Sequence, residues 1–318
     1  MLKTKLKRPG IEINAKRCMA CYACFMACKD EHCGWDTPLS KAQPELGQYW
    51  MNIVEWERGD NERRVKTATV PTPCAHCADP ACVKAAKNGG AYKRPDGIVI
   101  IDPEKAVGQK QIADACPIHA VYWNAELNLP QKCTLCAELL DDPEYPGFEP
   151  RCVEACPNQA LVFGDLDDPE SSVSKLIAAN KVTPLEGLPE KPGNVVHLNI
   201  PSAFLAGTVA YPQELEEVCI GAKVTITCVE TGETHTMETN WAGDYEFEDL
   251  PKGKTWTVDI SFDGYKSVRY EGERTDHDHY VGITYLEQAY GLTVKTEYRS
   301  VSVPLVLRAS PMDIRPAP

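Results

Sequence analysis

The sequence predicts an α+β chain in two parts: an N-terminal domain organised by cysteines and a C-terminal β-sandwich. Three observations carry this. Thirteen of the fifteen cysteines precede residue 157, most in short-spaced groups, two of which close on Cys-Pro. From about Val195 the apolar residues recur with period two, in short runs separated by Gly turns. Between these parts, residues 165–194 are first acidic, then rich in Pro and Gly, and read as a linker travelling over the first domain. The expected units are residues 1–164, the linker 165–194, a sandwich over 195–288 and an extension over 289–318.

The chain has 318 residues, enough for two domains of ordinary size. No apolar run approaches the roughly 18 residues that span a bilayer. Net charge is −13, and the part from residue 195 holds 19 Asp/Glu against 10 Lys/Arg. An acidic chain without a basic stripe argues against nucleic acid and anionic membrane surfaces as partners. The N-terminus carries Lys3, Lys5, Lys7 and Arg8 with no apolar core behind them. The expectation is therefore a cytoplasmic protein, with export on a signal-bearing partner as the alternative. Clustered thiols in a chain this long indicate metal in a reducing compartment rather than a disulfide framework.

The first group, Cys18, Cys21, Cys24 and Cys28, has the spacing C-x2-C-x2-C-x3-C. Three thiolates at this spacing can wrap one face of an iron–sulfur cube, and the fourth ligates a neighbouring one. The motif therefore predicts a distant partner group. That partner is Cys133, Cys136, Cys152 and Cys156, followed by Pro157. By crossover, Cys18, Cys21 and Cys24 join Cys156, while Cys28 joins Cys133, Cys136 and Cys152.

Between them lie Cys74, Cys77 and Cys82, and a lone Cys116 before Pro117. The same rule unites these four. The reciprocal site would use positions 86, 106, 109 and 112, which read Ala86, Ala106, Gln109 and Ile112. One complete site is erased and its neighbour left whole, so the expectation is three [4Fe-4S] clusters on twelve cysteines. His76 could be a ligand, but its thiolate set is complete without it. A hydrogen bond near the cluster or simple solvent exposure is the better reading. Cys33 reads as a free buried thiol.

Strand character is expected from Gln48 to Trp56, and a hairpin-like lead-in from Gly97 to Lys105. A short helix is expected near Val173 to Asn180. Sandwich strands are expected at Val224–Val229, Thr236–Thr239, Asp244–Phe247 and Thr255–Phe262. Cys219 and Cys228 are placed poorly for a disulfide. His277 and His279 could bind metal, but a polar loop tip is the better reading. The tail has one strand-like run, Ser300 to Leu307. No residue set resembles an acid–base pair, a nucleophilic triad or a phosphate loop, so catalysis is expected in a partner.

The four cysteine groups resemble the iron–sulfur subunits of the dimethyl sulfoxide reductase superfamily. The missing cluster, the phrase Arg151-Cys152-Val153-Glu154-Ala155-Cys156-Pro157 and the following sandwich narrow the match. So do Tyr49-Trp50-Met51-Asn52-Ile53 and Asp96-Gly97-Ile98-Val99. They point to the small-subunit branch of pyrogallol–phloroglucinol transhydroxylase and resorcinol-hydroxylase-like enzymes. Gly221-Ala222-Lys223-Val224, Thr239-Asn240 and Gly243-Asp244-Tyr245-Glu246-Phe247 look like a transthyretin-like or carboxypeptidase-regulatory-like domain. The likeness spans roughly residues 10–285, and neither Cys33 nor the tail belongs to it. It implies a ferredoxin-like multi-cluster domain and a large catalytic subunit holding molybdenum on two pterin guanine dinucleotides. The lost cluster implies a heterodimer without a membrane anchor. It leaves three roles open: partner in hydroxyl transfer on polyhydroxylated aromatics, electron delivery to a related reductase or dehydroxylase, and an assembly scaffold.

Overall fold

The computed structural model describes residues 6–60, 64–144, 147–189, 191–212 and 217–289. The expected strand from Ser300 to Leu307 lies outside them. The N-terminal part opens with strand β1 (Pro9–Asn14) and helix α1 (Ala23–His32), then a long hairpin of β2 (Met51–Arg58) and β3 (Lys66–Pro73). Helix α2 (Ala81–Ala85) precedes a small hairpin of β4 (Ala91–Lys93) and β5 (Val99–Ile101). Helix α3 (Gln111–Asp114) precedes another, β6 (Tyr122–Asn124) with β7 (Leu129–Gln131). Two short helices, α4 (Ala137–Leu140) and α5 (Arg151–Glu154), lead to β8 (Leu161–Asp165) and α6 (Ser172–Ala179). The expected helix near 173–180 is thus present, and the Ser171 hydroxyl caps it by accepting from Ser174 N.

β1 is the centre of a three-stranded sheet. β8 pairs antiparallel on one side, with Ile11 opposite Phe163. On the other side β9 (Val195–Leu198) pairs parallel, with Ile11 opposite Val195. This corrects the expected boundary: residues 195–198 complete the first domain's sheet, and the sandwich strands begin at Ala203. Ile11 and Ile13 join the core with Trp50, Ile98, Leu135 and Leu161. By alternation Gly10 and Glu12 face the other way. Gly10 pairs with Gly164, which lies against Val173 of α6, so the helix covers the face that buries Glu12.

The linker does run over the first domain. Asn194 N and Val195 N donate to the carbonyls of His76 and Ala75. A Cβ on Gly193 would lie 2.3 Å from each of those two carbonyl oxygens, so only glycine permits this approach.

The sandwich consists of two sheets. β10 (Ala203–Ala210) lies between β13 (Asp244–Leu250) and β16 (His279–Tyr285). Facing it are β12 (Thr234–Glu238), β11 (Lys223–Cys228), β14 (Thr255–Ser261) and β15 (Val268–Arg274), in that order. Val224, Ile226, Trp256, Val258 and Ile260 interdigitate with Leu205, Val209, Tyr245 and Phe247. Cys219 and Cys228 are separate buried thiols.

The other face of β10 meets the β2–β3 hairpin. Arg58 and Lys66 lie over the Phe204 ring, at 5.4 and 5.6 Å from its centroid. Arg58 forms a two-pronged pair with Asp278, at 3.0 and 2.8 Å. His279 bridges Asp60 at 2.7 Å and Glu273 at 2.6 Å. Burial opposes its protonation, but the two carboxylates outweigh burial and raise its pKa. His279 therefore opens β16 in a domain–domain contact rather than tipping a loop, while His277 stays exposed.

Candidate metal centres

The backbone around the cysteines repeats. In three of the four C-x2-C pairs the residue before the second cysteine is left-handed: Ala20 (φ 55°), His76 (φ 45°) and Leu135 (φ 60°). Such φ values in non-glycine residues cost of order 1–3 kcal/mol each and persist only where something is gained. The gain here is amide–sulfur hydrogen bonding. His76 N donates to Cys74 Sγ at 3.4 Å and Leu135 N to Cys133 Sγ at 3.3 Å. The Cys-Pro groups repeat another turn, with His119 (φ 52°) and Gln159 (φ 49°) left-handed. There Ala120 N reaches Cys116 Sγ at 3.3 Å and Ala160 N reaches Cys156 Sγ at 3.2 Å. Amides turned onto sulfur favour the thiolate form and suit a bound cluster.

The cysteines gather as their spacing groups them. Cys18, Cys21, Cys24 and Cys156 line one pocket, with Tyr22, Ile53 and Pro157. Cys74, Cys77, Cys82 and Cys116 line another. The remaining four meet in the core: the Cys152 thiol lies in the field of Cys28 and Cys133, and the Cys136 thiol in that of Cys152, Cys28 and Cys133. Cys24 and Cys28 are one turn apart on one face of α1, so the helix hands its first thiol to one set and its second to the next.

The sets run in a row. Cys24 adjoins Cys28 and Cys152, and Cys133 adjoins Cys74, which puts the core set in the middle. Burial raises the thiol pKa values, to about 12 at Cys24 and Cys133 and about 11 at Cys77 and Cys82. Buried thiols of this kind ionise only when a metal replaces the proton. Four sulfurs per set, each set with amides turned onto it, therefore fit tetrathiolate iron–sulfur clusters.

The erased site is also identifiable. Ala86, Ala106 and Ile112 pack together with Val99, Ile101 and Leu129. Gln109 bridges Lys87 and Lys105 through its side-chain amide. Apolar contact and a hydrogen-bonded glutamine occupy the four positions at which the sequence reading places the missing site.

Other residues depart from the expectations. His76 is fully buried, and its Nδ1 accepts from Val99 N at 3.0 Å, which removes the solvent-exposure reading. Cys33 is half-buried, with Sγ 3.6 Å from Pro44 O. Three functional candidates had no sequence reading: buried Lys132, and His32 with Glu138 beside Cys136. His32 Nε2 lies 3.7 Å from Cys136 Sγ, and Nδ1 lies 3.6 Å from Glu138. Burial lowers the His32 pKa to about 4 and raises that of Glu138.

Residues 65–166 match the family described as a 4Fe-4S dicluster domain, and residues 205–282 that of a carboxypeptidase regulatory-like domain. A pyrogallol hydroxytransferase small subunit from Pelobacter acidigallici is 38% identical over 256 residues, covering 79% of this chain and 90% of that one. The chain belongs to this family. A sulfite dehydrogenase subunit of Allochromatium vinosum is 35% identical over 173 residues, 52% of this chain and 72% of that one. A chain of the anaerobic dimethyl sulfoxide reductase of Escherichia coli is 31% identical over 217 residues, 65% and 98%. As a member of this family, the chain is an iron–sulfur electron-transfer subunit within the dimethyl sulfoxide reductase superfamily of molybdenum oxidoreductases. Among the described residues no helix is long and apolar enough to cross a membrane.

Proposed function

We propose that the chain holds three [4Fe-4S] clusters and serves a large molybdenum subunit acting on polyhydroxylated aromatics. The ligands of the first are Cys18, Cys21, Cys24 and Cys156. Those of the second are Cys28, Cys133, Cys136 and Cys152, and those of the third Cys74, Cys77, Cys82 and Cys116. One observation carries this reading: Cys156 and Cys116, distant in sequence, complete the two cavities lined by the other members of their sets. When bound, such clusters supply one-electron oxidation and reduction at potentials tuned by burial, charge and hydrogen bonds to sulfur. The chain's own part is to space the sets in a row, bury the middle one and aim amides at the sulfurs. The substrate class rests on likeness to the pyrogallol hydroxytransferase small subunit over 90% of its length.

The docking face for the catalytic subunit follows from exposure around the first set. Cys21 is exposed, and beside it Met19 and Tyr22 are 58% and 39% exposed. Met26, one turn beyond Tyr22, is 61% exposed, and Tyr49 extends the apolar surface through the Phe25 ring. An apolar patch at the edge of a metal set is where a partner that exchanges electrons gains most by burying surface.

The test is metal content of the natively purified complex. About twelve irons per molybdenum support three clusters here and none beside the molybdenum. About sixteen would favour the second reading, electron delivery to a reductase, which likeness to the dimethyl sulfoxide reductase chain supports. Iron without molybdenum or tungsten would overturn both.

A further inference from the structure

We infer that Lys132 is a fixed counter-charge shared by the second and third thiolate sets, and that it favours the reduced form of both clusters. This rests on the cluster reading above and adds to it a residue that is not a ligand. Lys132 is 2% exposed. Its ammonium donates to Cys133 O at 2.8 Å and to the carbonyl of Val99. Cys133 belongs to the middle set, while Val99 lines the cavity of Cys74, Cys77, Cys82 and Cys116. Lys132 thus joins the walls of two neighbouring sites.

Among the described residues no carboxylate pairs with it. A buried ammonium without a counter-ion is costly, and carbonyl dipoles offset only part of that cost. The compensating charge must be anionic and close. The nearest candidates are the thiolates of the two sets whose walls it joins: Cys133, whose carbonyl accepts from it, and the four cysteines that line the cavity with Val99. Two other cations act on these sets: Lys93 is solvent-exposed and bonded to the carbonyls of Cys77 and Ala78, where water screens it, and Lys29, beside Cys28, is half-buried and donates to Pro44 O. His76 adds no second charge, because its Nδ1 accepts a backbone proton from Val99. Each electron entering a thiolate-bound cluster makes it one charge more negative. A buried cation between two such groups therefore favours the reduced form of both. The first set, on the far side of the middle one, lies farther from this charge.

The experiment uses the natively purified, cluster-loaded complex with Lys132→Met and Lys132→Arg. Each cluster's midpoint is followed by anaerobic redox titration with electron paramagnetic resonance. In Lys132→Met the second and third clusters should shift at least tenfold toward the oxidised form, 59 mV lower for a one-electron couple. The first should shift least, and Lys132→Arg should retain wild-type midpoints. Unmoved midpoints in Lys132→Met overturn the inference. So do equal shifts in all three clusters, or an Arg variant displaced as far as the Met one. If Lys132→Met loses iron while Lys132→Arg keeps it at wild-type potentials, charge is what the site requires and the inference stands. Iron loss from both makes the role one of shape and overturns it. Iron content of the wild type judges the cluster reading separately.

Discussion

Glu12 offers the sharpest test of the first domain's packing. It lies on β1 beneath α6, is 0% exposed, and neither carboxylate oxygen has a hydrogen-bond partner among the described residues. Burial pushes its pKa from an ordinary 4.5 up to about 7, with Arg17 pulling the other way. A folded-state pKa above the unfolded one means that the native state holds the proton more tightly. The associated stability is fully present below about pH 4.5 and is lost as pH rises through about 7. At 1.36 kcal/mol per pH unit, the separation amounts to about 3 kcal/mol once the carboxyl is fully ionised. Glu12→Gln keeps the shape and abolishes the titration. Its stability advantage over the wild type should widen by about 2 kcal/mol between roughly pH 5.5 and pH 8.5. Urea unfolding of the loaded chain at several pH values, monitored by tryptophan fluorescence, measures this directly. A gap that stays constant with pH would refute the reasoning and show that Glu12 is solvated or paired in solution.

Four further outcomes are expected. Cys116→Ser should remove the cluster of Cys74, Cys77 and Cys82, taking about four of twelve irons and leaving the other two signals intact; loss of a different signal would break the crossover assignment. Gly193→Ala should selectively damage that same third cluster, because its Cβ meets the Ala75 and His76 carbonyls, and iron analysis with magnetic resonance will show whether the other two persist. Arg58→Ala should weaken the domain contact by about 3–5 kcal/mol, because Asp278 is left buried without its cation. Separated unfolding transitions report this, and Arg58→Ala with Asp278→Asn should recover part of the loss. Met26→Glu should abolish co-purification of the large subunit while the chain retains its iron, since the residue is exposed and lies outside the cavity of the first set.

The cysteine sets were legible because thiol spacing along a helix turn dictates which sulfurs can share a centre, independently of the surrounding fold. β11 was legible because Val224, Ile226 and Cys228 alternate with exposed or half-buried neighbours. β10 was not, because it is buried on both faces, by the sandwich core on one and the β2–β3 hairpin on the other, and so shows no period. β9 carried the right local pattern but was assigned to the wrong sheet. Alternation specifies a strand and says nothing about a partner 180 residues away. Lys132 went unread because a lysine before a cysteine looks like a solvated charge; only burial distinguishes it. The only hint was its place between the apolar Leu129-Pro130 and the Cys133 motif. His279 was read as a loop tip because its two carboxylate partners, Asp60 and Glu273, come from different domains.

The parallel pairing of β9 with β1 bears on how the molecule can be cut. A fragment ending at 164 or 194 contains every proposed ligand, and by sequence it looks like a complete module. It would nevertheless expose the backbone of β1 from Ile11 to Asn14 as an open parallel edge, the kind of surface on which chains add to one another. The last piece of the metal-holding half is made only after the linker, four residues before the sandwich begins. Any expression or labelling scheme that treats the halves as interchangeable cassettes must therefore carry residues 195–198 with the first of them. In this protein the cut that respects folding falls between Leu198 and Ala203.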